Sequence, residues 1–404
     1  LMGFSLKKSV TWYQKCKEII PSGSSTLAKS PEKLIAGKSP FYIASAYGSH
    51  FTDIDGNDWL DCEMAMGSVI WGHAHPTVTA AITKHLSLGA NFSLPGIWEL
   101  QVAEKILQRY KGYEAIKFFK NGADCVWAAI RSSRSITRKK GILFCEYHGW
   151  LDWCAYSYYK MCPEDMGISP SISHDIFFCE KKADMIIQTI NKCFRQLSCI
   201  VLCPTSYIPE ELDTIIHRCR LLDIHIIFDE VSTGIRYSRF GYSGFHNLRP
   251  DFLCISKGLT NGYPLATVMG KQEYILNMSN LKISNAHSGE NTAFWAELAC
   301  ESLLDTSPSY PSWHSFAIEL MEDINQLLTL GKRRDVLRLG GYHGSFYITS
   351  QVSDFYSDPF RHHFIERMST HNIFTKGYIL LSEAHSSEEL EKIRCAVIEA
   401  IETF

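Results

Sequence analysis

Between residues 115 and 270, seven short apolar runs follow one another: "AIKFFK", "GILFCEY", "DIFFCE", "SCIVLCP", "IHIIFDEV", "DFLCISK" and "LATVMG". Each is too short for an ordinary helix and too uniformly apolar for a strand with one wet face. They read as strands buried on both sides. Amphipathic stretches at 124–138, 181–195 and 210–223 separate several of them and supply the covering layers. Strands alternating with helices require crossover connections, so the pattern predicts an α/β domain around a mostly parallel sheet.

The flanks differ. Residues 1–20 have helical spacing, and "SHFTDIDGNDWLDC" (49–62) reads as a hairpin because Asp55-Gly56-Asn57 suits a tight turn. "TVTAAITKHLSL" and "WELQVAEKILQRY" carry helical periodicity. After about residue 297 the order becomes helix, strand, helix, strand, helix, which predicts a smaller α+β domain. The expected organisation is an N-terminal segment (1–50) joined to the small domain, a large domain (51–297) and a C-terminal small domain (298–404).

Composition narrows the function classes. The net charge of -3 argues against a nucleic-acid surface or a polybasic membrane patch. No apolar run approaches the roughly 18–20 residues of a membrane span, and "LMGFSLKKSV" lacks the apolar core of a secretory signal. None of the 14 cysteines forms a C-x-x-C pair, and Cys179, Cys203 and Cys254 sit inside apolar runs. Free thiols acting as small core side chains, in a reducing cytoplasm, are the expected state.

Ligands of open α/β sheets bind at the carboxyl ends of the strands. "AIKFFK" ends in Lys120-Asn121-Gly122-Ala123-Asp124 before a helix, whose unpaired N–H groups suit a phosphate; a plain helix cap is the competing reading. The turn fits neither G-x-G-x-x-G nor the P-loop, which disfavours NAD and ATP. "GILFCEY" ends in Tyr147-His148-Gly149-Trp150, an aromatic able to stack on a flat ring or to close the core edge. "IHIIFDE" ends in Asp229-Glu230, carboxylates that need a partner: a ring nitrogen, a cap or a salt bridge. "DFLCISK" ends in Lys257, and a buried lysine readily loses its proton, as an amine that attacks an aldehyde must. Together these ends anchor a phosphate, cover a ring, protonate a ring nitrogen and bind an aldehyde, the four requirements of pyridoxal 5'-phosphate. The histidine pairs His73/His75 and His362/His363 are the only close ones, and no metal site is expected.

These segments also resemble a known family. "FFKNGADCVWAAIRSSRSIT", "EYHGWLD", "IIFDEVSTGIR", "PDFLCISKGLTNGYPLATVMG" and "HSGENTAFWAELA" follow the order of blocks in the class III, fold-type I aminotransferases, and are most similar to glutamate-1-semialdehyde 2,1-aminomutase and its relatives. "DIDGNDWLDC" and "WGHAHPTV" resemble the N-terminal block, so the similarity spans roughly residues 20–395. The resemblance implies a fold-type I transferase with Lys257 holding the cofactor as a Schiff base and then moving the substrate's α-proton. It implies Asp229 on the pyridine N–H, Val231 beneath the ring, Tyr147 above it and His148 behind. Gly122 and Ala123 would give amides to the phosphate, and the Ala286 amide would reach the phosphate of a partner subunit.

Four positions depart from the family pattern. Ala123 and Ala286 lack hydroxyls usual there, Cys203-Pro204 stands where Glu-Pro is common, and Lys29 stands where the aminomutase has a carboxylate-binding Arg. The resemblance implies an aminotransferase passing an amino group between an amine donor and a keto or aldehyde acceptor. Lys29 favours this over an intramolecular aminomutase, because a lysine lacks the bidentate fork of arginine. A racemase and a non-catalytic protein of the same fold are the further alternatives. An obligate homodimer with shared active sites is expected, with residues 150–175 as a mobile loop.

Overall fold

The computed structural model describes residues 5–158, 166–331, 335–350 and 355–404. By its internal contacts the chain forms two units, Leu1–Pro76 with Ser309–Phe404, and Thr77–Pro308.

The first unit begins with a helix, Lys7–Cys16, and three antiparallel strands: β1 (Ile43–Tyr47), β2 (His50–Asp53) and β3 (Asp58–Asp61). The tight turn joining β2 to β3 is held by Asp53, whose carboxylate accepts from the amides of Asp55 and Asn57, both at 2.9 Å. Gly56 there has φ +94, a conformation that favours glycine.

The second unit carries the apolar runs as β4 (Ala115–Phe119), β5 (Gly141–Phe144), β6 (Ile176–Phe178), β7 (Leu197–Leu202), β8 (His225–Glu230), β9 (Phe252–Ile255) and β10 (Ala266–Gly270). They form one sheet in the order β4-β10-β9-β8-β7-β5-β6. Strands β6, β5, β7, β8 and β9 run parallel, and β10 is antiparallel to both neighbours. The mostly parallel α/β expectation therefore holds. The exception has a covalent cause: only Ser256–Leu265 joins β9 to β10, too short for a parallel crossover.

Every residue of β7 is buried, and each of its Leu, Ile and Val side chains contributes about 1.5–3 kcal/mol on leaving water. Helix Gly122–Thr137 lays Cys125, Val126, Ala129, Ile130 and Ser133 on the sheet, an i, i+4 stripe, and ends where Arg138 turns left-handed at φ 59. The buried cluster of this helix and the central strands is the core of the second unit.

The C-terminal part of the first unit adds β11 (Leu337–Tyr342), β12 (Ser345–Ser350), β13 (Ile373–Phe374) and β14 (Tyr378–Leu380). Here the expected boundaries change. Residue 297 lies inside one continuous helix, Asn291–Thr306, and residue 50 opens β2. Parallel pairing of β13 with β3, Ile373 beside Leu60, ties the N-terminal hairpin to the C-terminal segment. Sequence periodicity carries no signal for such a long-range pairing. The final helix, Ser387–Glu402, is started by a capping box in which Ser386 and Glu389 satisfy each other's backbone N–H groups. Of the expected loop 150–175, Asp152–Tyr158 is helical, Pro170–Asp175 is a short helical stretch, and 159–165 lie outside the described residues.

Candidate active site

Four strand ends meet at the carboxyl edge of the parallel strands. β8 ends on two carboxylates, and the pleat sends them opposite ways. Glu230 is fully buried and accepts from the backbone N–H of Tyr242 at 2.6 Å and of Ser243 at 2.9 Å. Burial pushes its carboxyl up to about 6. It is committed to holding the 241–245 helix. Asp229, half-buried, faces the other side: Oδ2 accepts from His148 Nδ1 at 2.8 Å and Oδ1 from the Val231 amide at 3.0 Å.

His148 is buried, stacked on Trp153 with the ring planes 10° apart. Its bond fixes the rotamer of Asp229 and makes Asp229, not Glu230, the carboxylate available to a ligand. The family resemblance implies His148 behind Tyr147, and no local pattern in the sequence marks Asp229 as its partner. Tyr147 itself is exposed.

Lys257 follows β9, which pairs in register with β8, Asp229 beside Cys254. It has φ +49, unusual for a residue with a side chain, and opens the helical turn Lys257–Thr260. The Lys257 side chain is half-buried, and its Nζ donates to Ser232 Oγ. Desolvation holds its ammonium below the ordinary lysine range, partly opposed by the charge of Asp229.

The turn after β4 lies on the same edge. The Gly122 Cα has no room for a side chain: an added Cβ would stand 2.6 Å from Val231 Cγ1. An added Cβ at Gly149 (φ +121) would stand 2.8 Å from that of Ala123. The backbone is thus drawn close at the first turn of helix Gly122–Thr137, where N–H groups lack helical partners. Gly122→Ala is expected to lower stability by about 1–3 kcal/mol through overpacking against Val231, measured as a lower urea midpoint with an unchanged m-value. An unchanged midpoint would show that Val231 gives way freely.

Three supporting contacts were not apparent in the sequence. Glu146 accepts from the Cys203 amide at 3.1 Å and from Ser206 Oγ at 2.8 Å, so a carboxylate from β5's end serves the turn where Cys203 replaces glutamate. Lys120 Nζ lies 2.9 Å from Glu290 Oε2, holding the 286–290 loop to the turn after β4. Ser232 is the third. Within that loop Ala286 is exposed, and its carbonyl accepts from Asn91 Nδ2 at 3.4 Å.

Lys29 belongs to the other unit. It ends a short helical turn and lines a cavity of about 270 Å³ with Phe41, Tyr42, Met66, Glu63 and Lys376. His73 bonds Asp61 at 2.8 Å, His362 donates to the Tyr356 carbonyl, and His363 bonds Ala400 and Thr403. Among the described residues no group of three metal-ligating side chains forms a cation site.

An amine with a lowered pKa, a carboxylate on the neighbouring strand and a tight amide-bearing turn suit a ligand with an aldehyde, a basic ring nitrogen and a phosphate. That donor set fits pyridoxal phosphate. The backbone agrees: an ω-transaminase from Sphaerobacter thermophilus superposes with a TM-score of 0.84 at 20% identity, covering 98% of this chain and 97% of that one. The fold is that of the fold-type I pyridoxal-phosphate transferases.

The chain belongs to the class-III aminotransferases, whose family model matches residues 35–177 and 205–338. Curated relatives include the glutamate-1-semialdehyde 2,1-aminomutase of Methanocella arvoryzae, 29% identical over 280 residues, 66% of this chain and 65% of that protein. The enzyme of the same name from Thermus thermophilus is 25% identical over 97% of this chain and 98% of its own length. The first match thus spans just under two thirds of the relative. Pyridoxal phosphate is the cofactor of this class.

Proposed function

We propose that this protein is a pyridoxal-phosphate-dependent aminotransferase that moves an amino group from an amine donor to a keto or aldehyde acceptor. The observation carrying this reading is the pair on adjacent strand ends: Lys257, an amine held below its ordinary pKa, and Asp229, a carboxylate oriented by His148. When bound, the cofactor supplies an aldehyde that takes up the amino nitrogen and a ring that withdraws electrons from the carbon losing its proton.

The residues divide the work. Lys257 Nζ would hold the cofactor covalently, and as a free amine it would carry the proton leaving the substrate's α-carbon. Asp229 would keep the ring nitrogen protonated by placing a negative charge beside it. The Gly122 and Ala123 amides would receive the phosphate, and Val231 and Tyr147 would cover the two faces of the ring.

Ala286 contributes its amide to the phosphate of a partner subunit in this reading, which requires a homodimer. An exposed apolar segment supports the requirement: Leu86, Leu88, Phe92, Leu94, Ile97 and Leu100 all face solvent in one chain, Leu94 at 79%. Introducing arginine at Leu94 and glutamate at Ile97 is expected to weaken the dimer at least about tenfold, read by sedimentation across a dilution series. A wild-type chain that stays monomeric with full activity sinks the shared-site reading.

Lys29 is proposed to contact the substrate's carboxylate, on its sequence correspondence. A single ammonium grips a carboxylate less specifically than a guanidinium, which favours transamination over the aminomutase reaction named for the relatives. The thirteen free cysteines among the described residues suit a reducing cytoplasm, and no helix of these residues is long and apolar enough to cross a membrane.

The test loads the protein with pyridoxal phosphate and screens amines for bleaching of the bound chromophore. Mass spectrometry then identifies the carbonyl product. A released keto product supports transamination. A product that stays bound until it is re-aminated supports the aminomutase. A protein that takes up no cofactor removes the enzyme reading.

A further inference from the structure

The end of β8 and the turn that follows it send three side chains to three places. Asp229 meets His148, Val231 packs on Gly122, and Ser232 receives the hydrogen bond from Lys257 Nζ. Nothing in the sequence pattern singles Ser232 out, and the contact depends on two features. β8 and β9 are paired neighbours, and the left-handed backbone at Lys257 starts a helical turn instead of continuing β9.

The partner's chemistry matters. A lysine that alternates between ammonium and free amine needs a neighbour able to accept from the first and donate to the second. A hydroxyl does both. A carboxylate there would lock the ammonium, and an alkyl group would leave a half-buried N–H unsatisfied. Of the other groups near Nζ, Asp229 favours the charged form and Arg236 opposes it, while burial pushes the Cys203 thiol up and keeps it uncharged.

We propose that Ser232 is a positioning residue for Lys257, holding its free amine in place while that amine is not bonded to the cofactor. This rests on the role of Lys257 given above. The hydroxyl accepts from the ammonium, then rotates and donates to the neutral amine's lone pair, so the nitrogen keeps its location as its proton leaves. Because a bond to a charged donor is the stronger of the two, removing the hydroxyl destabilises the ammonium more than the amine.

The test uses cofactor-free protein. Lys257 is labelled with acetic anhydride across pH 6–11, and its acetylation midpoint is read by peptide mass spectrometry in wild type, Ser232→Ala and Ser232→Thr. Ser232 is exposed, so alanine leaves no buried cavity. The alanine midpoint is expected to fall by about half a pH unit or more, while threonine, which keeps the hydroxyl, stays with wild type. An alanine midpoint equal to wild type overturns the proposal, and so does a threonine midpoint that moves with alanine. The readout is separate from the functional reading: that reading fails if the wild-type protein does not attach pyridoxal phosphate at Lys257, whatever the midpoints show.

Discussion

Lys257→Ala protein is expected to fold, to retain a weakened grip on pyridoxal phosphate and to lose amine turnover by at least about a thousandfold, within the range one proton-transferring group supplies. In the proposed role, losing the amine removes two functions at once, the covalent hold on the cofactor and the base for the α-proton. The fold should survive because Lys257 sits in a turn beyond β9 and the strand's own core residues are untouched. The direct check is borohydride reduction followed by peptide mapping. In the wild type the cofactor's mass appears on the peptide bearing Lys257, and in the variant on none. Cofactor found on another lysine of the wild type would reassign the site.

Asp229→Asn should cost about 10²–10³ in turnover, the usual loss when one preorganised electrostatic partner is removed. Asparagine keeps the shape: its oxygen still accepts from the Val231 amide, and its NH2 can donate to His148 Nδ1 once the imidazole carries its proton on Nε2, so thermal unfolding should change little. What disappears is the negative charge that keeps a ring nitrogen protonated. The loss should therefore fall on kcat, with KM for the amine nearly unchanged. Equal effects on unfolding and turnover would mean that the His148–Asp229 bond is architectural. The Glu230→Gln change separates the two carboxylates: its bonds run to the Tyr242 and Ser243 amides, so its effect should appear in stability.

The correspondence between pattern and fold is uneven in an instructive way. The hairpin at 49–62 was legible because its turn residues and alternation are local. Strands β5 and β7 to β10 were legible because burial on both faces leaves a continuous apolar run, whereas β4 and β6, at the two edges of the sheet, are apolar in sequence yet only part-buried. β11 was not read as a strand: "LRLGGY" is glycine-rich and only Leu337 is buried, so its place comes from pairing with β12. The antiparallel direction of β10 was available from its short link, whereas the unit boundaries were not, since they follow from β13 finding β3 more than 300 residues away.

The sequence alone determined that a parallel-rich sheet would present a glycine-containing turn, an aromatic, a carboxylate and a lysine at the ends of four of its strands, in that chain order, because strand periodicity and chain order are covalent properties. Only the tertiary structure decided which of Asp229 and Glu230 faces the site, that His148 orients the chosen one, that Glu146 serves the turn at Cys203, and that Ser232 meets Lys257. Those choices rest on contacts between segments distant in the chain, where pleat direction, strand pairing and desolvation act together and no local pattern records the result.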